Sequence, residues 1–233
     1  MSRGAGSQRT NHRRRVGSDS LWAIPDSTRP TGTAPGLNPC GAVLVGGRST
    51  RFGSDKSHAE VGGVSLLARI FTILRSADVE SLAYVGGLPR SDIPPDIVHV
   101  ADEVAGHPGD DRSSLLGVLA AMTHARANGH DSIVVLGCDV PMVETGTIRA
   151  LTSTLESVDA SVAHHDGDHW SIMALRTIAY EAIESHYARG ERAIHRAVSQ
   201  LSVARVPVSA SECVNVNDVA TLHAVSVLLG TAD

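Results

Sequence analysis

The sequence contains little cysteine, and its three cysteines, Cys40, Cys138 and Cys213, lie far apart. They form no CxxC pair and no Cys/His pattern with the spacing of metal ligands. This scarcity argues against a disulfide framework and against a structural zinc site. A reducing compartment, the cytoplasm, is therefore the expected location.

Aromatic residues are also scarce, at 3% of 233 residues, and the formal net charge is −5. Nucleic-acid-binding proteins usually present a basic surface, and platforms that stack bases need aromatic side chains. No stretch approaches the ~20 apolar residues that a membrane-spanning helix requires. We therefore expect neither a nucleic-acid partner nor a membrane span.

Residues 1–38 consist mainly of Ser, Gly, Thr, Pro and Arg and have almost no periodic apolar positions. Such a segment cannot bury enough apolar surface to offset the entropy lost on ordering. The run Arg13–Arg15 is not followed by an apolar stretch long enough for a secretion signal. We predict a disordered tail over residues 1–38 and a single domain over residues 39–233.

Beyond the tail, apolar runs and amphipathic segments alternate. Apolar runs predict strands at 42–45, 82–85, 97–100, 133–136, 160–163, 171–175 and 203–206. Helical spacing of apolar residues predicts helices near 67–74, 115–122, 148–155, 178–186, 194–201 and 219–229. This order is typical of an α/β fold, a three-layer, mainly parallel, Rossmann-like sheet with helices on both faces.

A glycine-rich loop that carries three cations follows the first predicted strand. Gly46 and Gly47 have no Cβ, so their backbone N–H groups can approach a ligand closely. Arg48, Arg51 and Lys56 would neutralise phosphate oxygens. The loop is not a P-loop, because Lys56 does not follow a glycine, and no GxGxxG is present. The pattern predicts a polyphosphate site.

Asp139 follows the most apolar predicted strand, within the run Gly137–Pro141. Ligands of open α/β sheets bind beyond the carboxyl ends of the strands, where the glycine loop also lies. A single carboxylate that acts together with substrate phosphates suits Mg²⁺. An isolated Asp at a strand end is otherwise often a turn former. Its position beside the loop favours the magnesium hypothesis.

The run from Leu44 to Lys56 resembles the LxGGxSxRxGxDK signature of sugar-nucleotide-type nucleotidyltransferases, and within them the MobA-type molybdenum cofactor guanylyltransferases. Further matches follow in the family's order, at Gly137–Pro141, His165–His169, Gly190–Arg192 and Asn215–Asp218. The resemblance implies a nucleotidyltransferase sheet. It also implies transfer of GMP from GTP to the phosphate of molybdenum-molybdopterin, with release of pyrophosphate.

The resemblance also implies a set of site residues. Nucleotide-binding residues would be Leu44, Val45, Gly46, Gly47, Lys56, Asp102 and Asp139; catalytic residues would be Arg48, Arg51, Lys56 and Asp139. Asp139 and Asn217 would hold Mg²⁺ as the cofactor. GTP and molybdopterin are the implied small-molecule partners, and a molybdoenzyme or cofactor-delivery protein is the implied protein partner.

Several of these residues have a plainer interpretation from the sequence alone. Asn217 or Asp218 is equally suited to be the N-cap of the last helix, and Asp102 to be a turn residue. His165 and His169 could contact a pterin or could be surface histidines. Arg192 could reach the acceptor phosphate or be a solvated charge at a helix start.

The sequence departs from the family pattern at three places. Val45 replaces a small Ala, Trp170 replaces a Pro, and Gly109–Gly117 replaces Gly-Pro-Leu-x-Gly. The last segment borders the base in relatives. A CTP-dependent molybdopterin cytidylyltransferase and a sugar-phosphate nucleotidyltransferase therefore stay open as alternatives, as does a non-catalytic nucleotide-binding homologue.

Overall fold

The computed structural model describes residues 36–45, 59–104 and 113–230. Its strands are β1 (Pro39–Leu44), β2 (Glu60–Val61), β3 (Val64–Ser65), β4 (Ser81–Val85), β5 (Ile97–Val100), β6 (Ser132–Gly137), β7 (Ala160–His164), β8 (Asp168–Arg176) and β9 (Val203–Pro207). Its helices are α1 (Leu66–Ser76), α2 (Ser114–Ala127), α3 (Thr145–Thr154), α4 (Tyr180–Ala188), α5 (Ile194–Val198) and α6 (Val219–Leu228), and a 3-10 turn lies at Thr177–Ala179. The predicted tail, apart from residues 36–38, lies outside the described residues.

Seven of the described strands form one sheet in the order β5-β4-β1-β6-β8-β7-β9. β1 pairs in parallel with β4 and β6, β4 with β5, and β7 with β9. β8 runs antiparallel to both of its neighbours, β6 and β7. Six strands therefore share one direction, and the prediction of a mainly parallel α/β sheet is confirmed.

Helices cover both faces of this sheet. Buried residues of α2, α4 and α5 form one apolar core with the strands, and those of α1 and α3 form a second core on the opposite face. Successive side chains of a strand point to opposite faces, so Ala42 of β1 packs in the first core and Val43 in the second. The predicted three-layer arrangement is thus present.

Three of the helices begin at a side-chain cap. Ser65, Ser113 and Asp218 each accept a hydrogen bond from the backbone N–H three residues further on, at 3.2, 3.3 and 2.7 Å. Each cap satisfies one of the N–H groups that a helix start leaves without an intrahelical partner. The chain therefore enters α1, α2 and α6 at defined positions.

Two hairpins occur among the described residues, and only the hairpin of β2 and β3 adds strands to those predicted. β2 and β3 are two residues each and are joined by Gly62 and Gly63, both with positive φ. β7 and β8 form the second hairpin, whose turn contains Asp166 at φ 53°. In the part of the chain that is described, no helix is long and apolar enough to cross a membrane.

Candidate functional site

The carboxyl ends of β5, β4, β1 and β6 lie side by side at one edge of the sheet. The chain passes from β1 to β4 and β5 on one side, whereas β6 pairs with β1 on the other side. This change of direction is a topological switch point, where open α/β sheets bind ligands. Leu44, at the end of β1, is paired with both Val85 and Gly137. The segments that follow β1 and β6 therefore leave the sheet next to each other.

Leu44 and Val45 are held by backbone hydrogen bonds at this edge. The Val45 N–H donates to the Val85 carbonyl at 2.8 Å, and the Leu44 carbonyl accepts from the Cys138 N–H at 3.2 Å. Their side chains pack into the two cores. The side chain of Val45 is buried and that of Leu44 is partly buried, so at Val45 a ligand would meet backbone groups. The other predicted residues of this loop lie outside the described residues: Gly46, Gly47, Arg48, Arg51 and Lys56.

Asp102 lies next to the exit of β1. Gly86, with φ at 86°, donates its N–H to the Val100 carbonyl at 2.9 Å. A Cβ at Gly86 would lie 3.2 Å from the Val45 carbonyl oxygen and 3.5 Å from Asp102 Oδ2. Glycine is favoured here because it adopts positive φ without strain. The half-buried carboxyl of Asp102 is thus on the side of the sheet where the nucleotide was predicted.

Asp139 is half-buried and turns back over the end of β6. A Cβ at Gly137 would lie 2.5 Å from Asp139 Oδ1 and 3.3 Å from Ser171 Cβ. Gly137 therefore leaves the space that the carboxylate occupies. The sequence motif includes this glycine, but its proximity to the carboxylate becomes apparent only in the fold.

Asn217 is brought close to Asp139 by a main-chain contact. The Val216 N–H donates to the Asp139 carbonyl at 2.8 Å, although the two residues are far apart in sequence. The alternative that Asn217 or Asp218 is the N-cap of α6 is confirmed for Asp218 and is wrong for Asn217. Asn217 is exposed, directly before that cap. The two residues predicted as metal ligands therefore belong to segments in direct contact.

Oxygen donors at this place suit a hard cation such as Mg²⁺. Asp139 offers a carboxylate and Asn217 a carboxamide oxygen, and proteins often bind Mg²⁺ with few side chains and complete its shell with phosphates and water. No group of three His, Cys, Asp or Glu side chains that could hold a metal occurs among the described residues. The donor set thus fits a cation that arrives with a nucleotide.

The predicted histidines lie in the hairpin of β7 and β8, with His165 in the turn and His169 in β8. His165 Nδ1 is 3.2 Å from the Val208 carbonyl oxygen, and His169 Nε2 is 3.0 Å from the His165 carbonyl oxygen. Each histidine thus has one ring nitrogen within hydrogen-bonding distance of the main chain. The other ring nitrogen of each histidine could contact a pterin or could face solvent, so both alternatives stay open.

An ionic cluster supports the same hairpin. Arg205 donates to both carboxylate oxygens of Asp168, at 2.8 and 3.0 Å, and His164 Nδ1 is 2.8 Å from Asp168 Oδ1. The hydrogen bonds from Arg205, aided by His164, lower the pKa of Asp168 below its ordinary value. The cluster joins β7, β8 and β9 at the carboxyl edge of the sheet.

Arg192 has a structural role in the fold. Its guanidinium donates to the Tyr187 carbonyl at 2.9 Å and stacks 4.1 Å above the centre of the Tyr187 ring. The neighbouring Glu191 accepts the backbone N–H groups of Ala193 and Arg192, both at 2.8 Å. These bonds connect the end of α4 to the start of α5. The exposed Arg192 is therefore anchored to α4 and is not simply a solvated charge.

Glu212 is a buried charge that the sequence analysis missed. Its Oε2 accepts from the Glu144 N–H at 3.1 Å and the Thr147 hydroxyl at 2.5 Å, and its Oε1 accepts from the Ser209 N–H at 3.0 Å and the Ser209 hydroxyl at 3.1 Å. Burial by itself raises the pKa of this carboxyl, but the four hydrogen bonds outweigh burial and lower the pKa. Glu212 thus caps the start of α3 from a distant segment, and no local sequence pattern signals this contact.

A cavity of about 430 Å³ lies between α3 and β9, beside Glu212. Thr147, Val206 and Val208 are among its lining residues, whereas Asp102 and Asp139 are not. The candidate site at the switch point is thus defined by the strand ends and their carboxylates, and this cavity lies apart from it.

Comparisons with known proteins point to one family. The model of the MobA-like NTP transferase domain matches residues 41–205. A protein of Opitutus terrae, described as "Probable molybdenum cofactor guanylyltransferase", is 32% identical over 162 residues, which cover 69% of this chain and 78% of that protein. The molybdenum cofactor guanylyltransferase of Pseudomonas putida is 26% identical over 180 residues, covering 75% of this chain and 90% of the relative.

A solved structure has a similar fold. Molybdopterin-guanine dinucleotide biosynthesis protein A from Archaeoglobus fulgidus superimposes with a TM-score of 0.66 at 21% identity, and the match covers 82% of this chain and 99% of that one. At this identity the likeness concerns the fold alone.

Proposed function

Because this chain belongs to the MobA-like NTP transferase domain family, we propose that it transfers GMP from GTP to the phosphate of molybdenum-molybdopterin and releases pyrophosphate. The observation that carries the proposal is that Asp102 lies beside the ends of β1 and β4, whereas Asp139 and the adjoining Asn217 segment lie beside the end of β6, which pairs with β1. The identity of the two substrates is supported by the names of the curated relatives.

The reaction needs no side-chain nucleophile. An oxygen of the acceptor phosphate attacks the α-phosphorus of GTP, the bond from that phosphorus to the bridging oxygen breaks, and pyrophosphate leaves with the bridging oxygen. A phosphate monoester is already largely ionised near pH 7. The protein therefore contributes positioning and charge stabilisation.

We assign the triphosphate to the glycine loop after β1. Gly46 and Gly47 would donate backbone N–H groups, and Arg48 and Lys56 would neutralise the β- and γ-phosphates, which form the leaving group. Arg51 would act on the same triphosphate. These assignments rest on the sequence motif.

We assign the nucleoside and the metal to the described part of the site. Asp102, beside the ends of β1 and β4, would contact the nucleoside. Asp139 and Asn217 would hold Mg²⁺, which when bound neutralises charge on the phosphate oxygens. The 2.8 Å bond from Val216 to the Asp139 carbonyl supports this pairing, because it keeps the two segments together.

We also propose that the protein acts in the cytoplasm. Its three cysteines are free in the structure, and Cys138 lies next to Asp139 at the proposed site. A thiol there is compatible with a reducing compartment.

A pyrophosphate-release assay with each of the four NTPs, with and without molybdopterin, tests the proposal. We expect pyrophosphate only when GTP and molybdopterin are both present. Release with CTP instead would favour the cytidylyltransferase alternative, and release with a sugar phosphate as acceptor would favour a sugar-nucleotide enzyme. Nucleotide binding without release for any acceptor would identify a non-catalytic homologue.

A further inference from the structure

A small apolar cluster lies apart from the two main cores of the sheet. Four fully buried side chains form its centre, and five partly buried ones pack around them; we call this group the satellite cluster. Its central members are Val61, Leu66, Val216 and Val225, and the surrounding members are Ala59, Met142, Val214, Leu222 and Leu229.

The satellite cluster joins chain segments that carry predicted site residues. Met142 comes three residues after Asp139, and Val216 directly precedes Asn217. Val61 comes from β2, shortly after the predicted phosphate loop. The cluster is therefore placed to set the position of one site segment relative to another.

Val216 has two contacts that act together. Its side chain is fully buried in the satellite cluster, and its N–H donates to the Asp139 carbonyl at 2.8 Å. The next residue, Asn217, is exposed, and Asp218 then caps α6. Burial of one side chain thus holds the backbone from which Asn217 projects.

In the described part of the chain, the satellite cluster has only four fully buried side chains, so the loss of one of them should affect the segments that the cluster joins. Val225 is the only fully buried residue among the described residues of α6, and the other α6 member of the satellite cluster, Leu222, is only partly buried. Elements with few buried apolar contacts open locally more easily than the core of a protein. Loss of the Val216 side chain should therefore loosen the Asn217 segment before it affects the sheet.

We propose that Val216 is a positioning residue: its burial in the satellite cluster holds Asn217 at the distance from Asp139 that binding of Mg²⁺ with GTP requires. The proposal rests on the proposed function for the identity of the ligands. It assigns to Val216 a role in cation affinity that an ordinary core valine does not have.

The test compares Val216→Ala with Val198→Ala. Val198 is a fully buried valine of α5 in the core on the α2 face, so the control removes the same two methyl groups away from the site. Calorimetric titration of GTP in the presence of Mg²⁺ gives the affinity without turnover. We expect Val216→Ala to bind at least fivefold more weakly and to need more Mg²⁺ for half-maximal binding, and Val198→Ala to match the wild type.

A double-mutant comparison separates positioning from general loosening. Asn217→Ala, a change on the surface, should weaken Mg²⁺-dependent GTP binding by a similar factor. The Val216→Ala/Asn217→Ala double variant should bind GTP no more weakly than Asn217→Ala alone, because the effects of coupled residues are not additive. Additive effects on GTP binding, or equal GTP affinities of the Val216 and Val198 variants, would overturn the proposal.

If Val216→Ala does not fold, Val225→Ala provides a second test, because it removes buried methyl groups of the same cluster from α6. This variant should also need more Mg²⁺ for half-maximal binding of GTP. An unchanged Mg²⁺ requirement would equally overturn the proposal.

Failure of the proposed function would look different. A wild-type protein that binds GTP with Mg²⁺ but releases no pyrophosphate would refute the guanylyltransferase assignment. The titrations would still decide the role of Val216, because they do not depend on turnover.

Discussion

Replacing the buried Glu212 by Gln should destabilise the protein although the two side chains have nearly the same shape. Each carboxylate oxygen accepts from one backbone N–H, of Glu144 or of Ser209, and from one hydroxyl. The hydroxyls can rotate, but the N–H groups cannot. Whichever way the Gln amide is turned, its NH₂ group faces a backbone N–H, which then loses its acceptor.

The size of the effect follows from these contacts. A buried donor left without an acceptor costs about 1–3 kcal/mol. The adjoining cavity of about 430 Å³ can admit water to the site, which reduces the cost. We expect Glu212→Gln to lower the free energy of unfolding by about 2 kcal/mol. Glu212→Ala, which removes both acceptors, should lower it by about 3 kcal/mol.

Urea unfolding and thermal melts at pH 7 measure this effect. For a domain of this size about 2 kcal/mol corresponds to a fall in Tm of roughly 4–8 °C. Glu144→Gln is the matched control, because its exposed side chain can change while its backbone N–H remains. That control should stay within about 0.5 kcal/mol of the wild type.

The effect should also depend on pH with a definite sign. The pKa of Glu212 is lowered in the folded protein, so its stabilisation is complete above the unfolded pKa of about 4.3 and is lost as the pH falls through the folded value. The difference in the free energy of unfolding between wild type and Glu212→Gln should therefore become smaller below pH ~4. A Glu212→Gln variant as stable as the Glu144→Gln control at pH 7 would refute the reasoning.

Three further predictions concern the site and its surroundings. Lys56→Ala should slow turnover by roughly 10²-fold in the pyrophosphate assay, because it removes a charge-assisted contact to the leaving group; near-normal turnover would remove Lys56 from the mechanism. Asp139→Ala should abolish the Mg²⁺ dependence of turnover, and a variant still stimulated by Mg²⁺ in a metal titration would contradict its assignment. Arg205→Ala should lower the Tm at pH 7, because the lowered pKa of Asp168 adds stability above pH ~3.9 that is lost in acid. The Tm values of wild type and Arg205→Ala should converge as the pH falls from 7 to 2. A lower Tm of the variant that persists in acid would point to lost packing instead.

The architecture was largely predictable because its strands are buried on both faces. Continuous apolar runs predicted the seven strands of the main sheet, and the predicted run 97–100 coincides with β5 (Ile97–Val100). The hairpin of β2 and β3 was not predicted, because two-residue strands are too short to show an alternating pattern. The reversed direction of β8 was not predicted either, since a buried run has the same composition in either direction.

The individual residues of the site could be predicted from the sequence, but the contacts between their segments could not. Asp102 and Asp139 follow apolar strands, and the switch-point rule predicted their edge of the sheet. Glu212 contacts Glu144 and Thr147 across 68 and 65 residues, so no local pattern could indicate it. The link between Asp139 and the Asn217 segment runs through the backbone of Val216, which no side-chain motif encodes. The roles of the residues in the loop after β1 stay predictions.

The place of Asn217 in the chain has a consequence for biosynthesis. The last strand of the sheet ends at Pro207, ten positions before Asn217. A ribosome therefore makes every described strand of the sheet before it makes this carboxamide. A chain whose synthesis stopped after Pro207 would contain all of these strands but would lack the second proposed ligand of the cation.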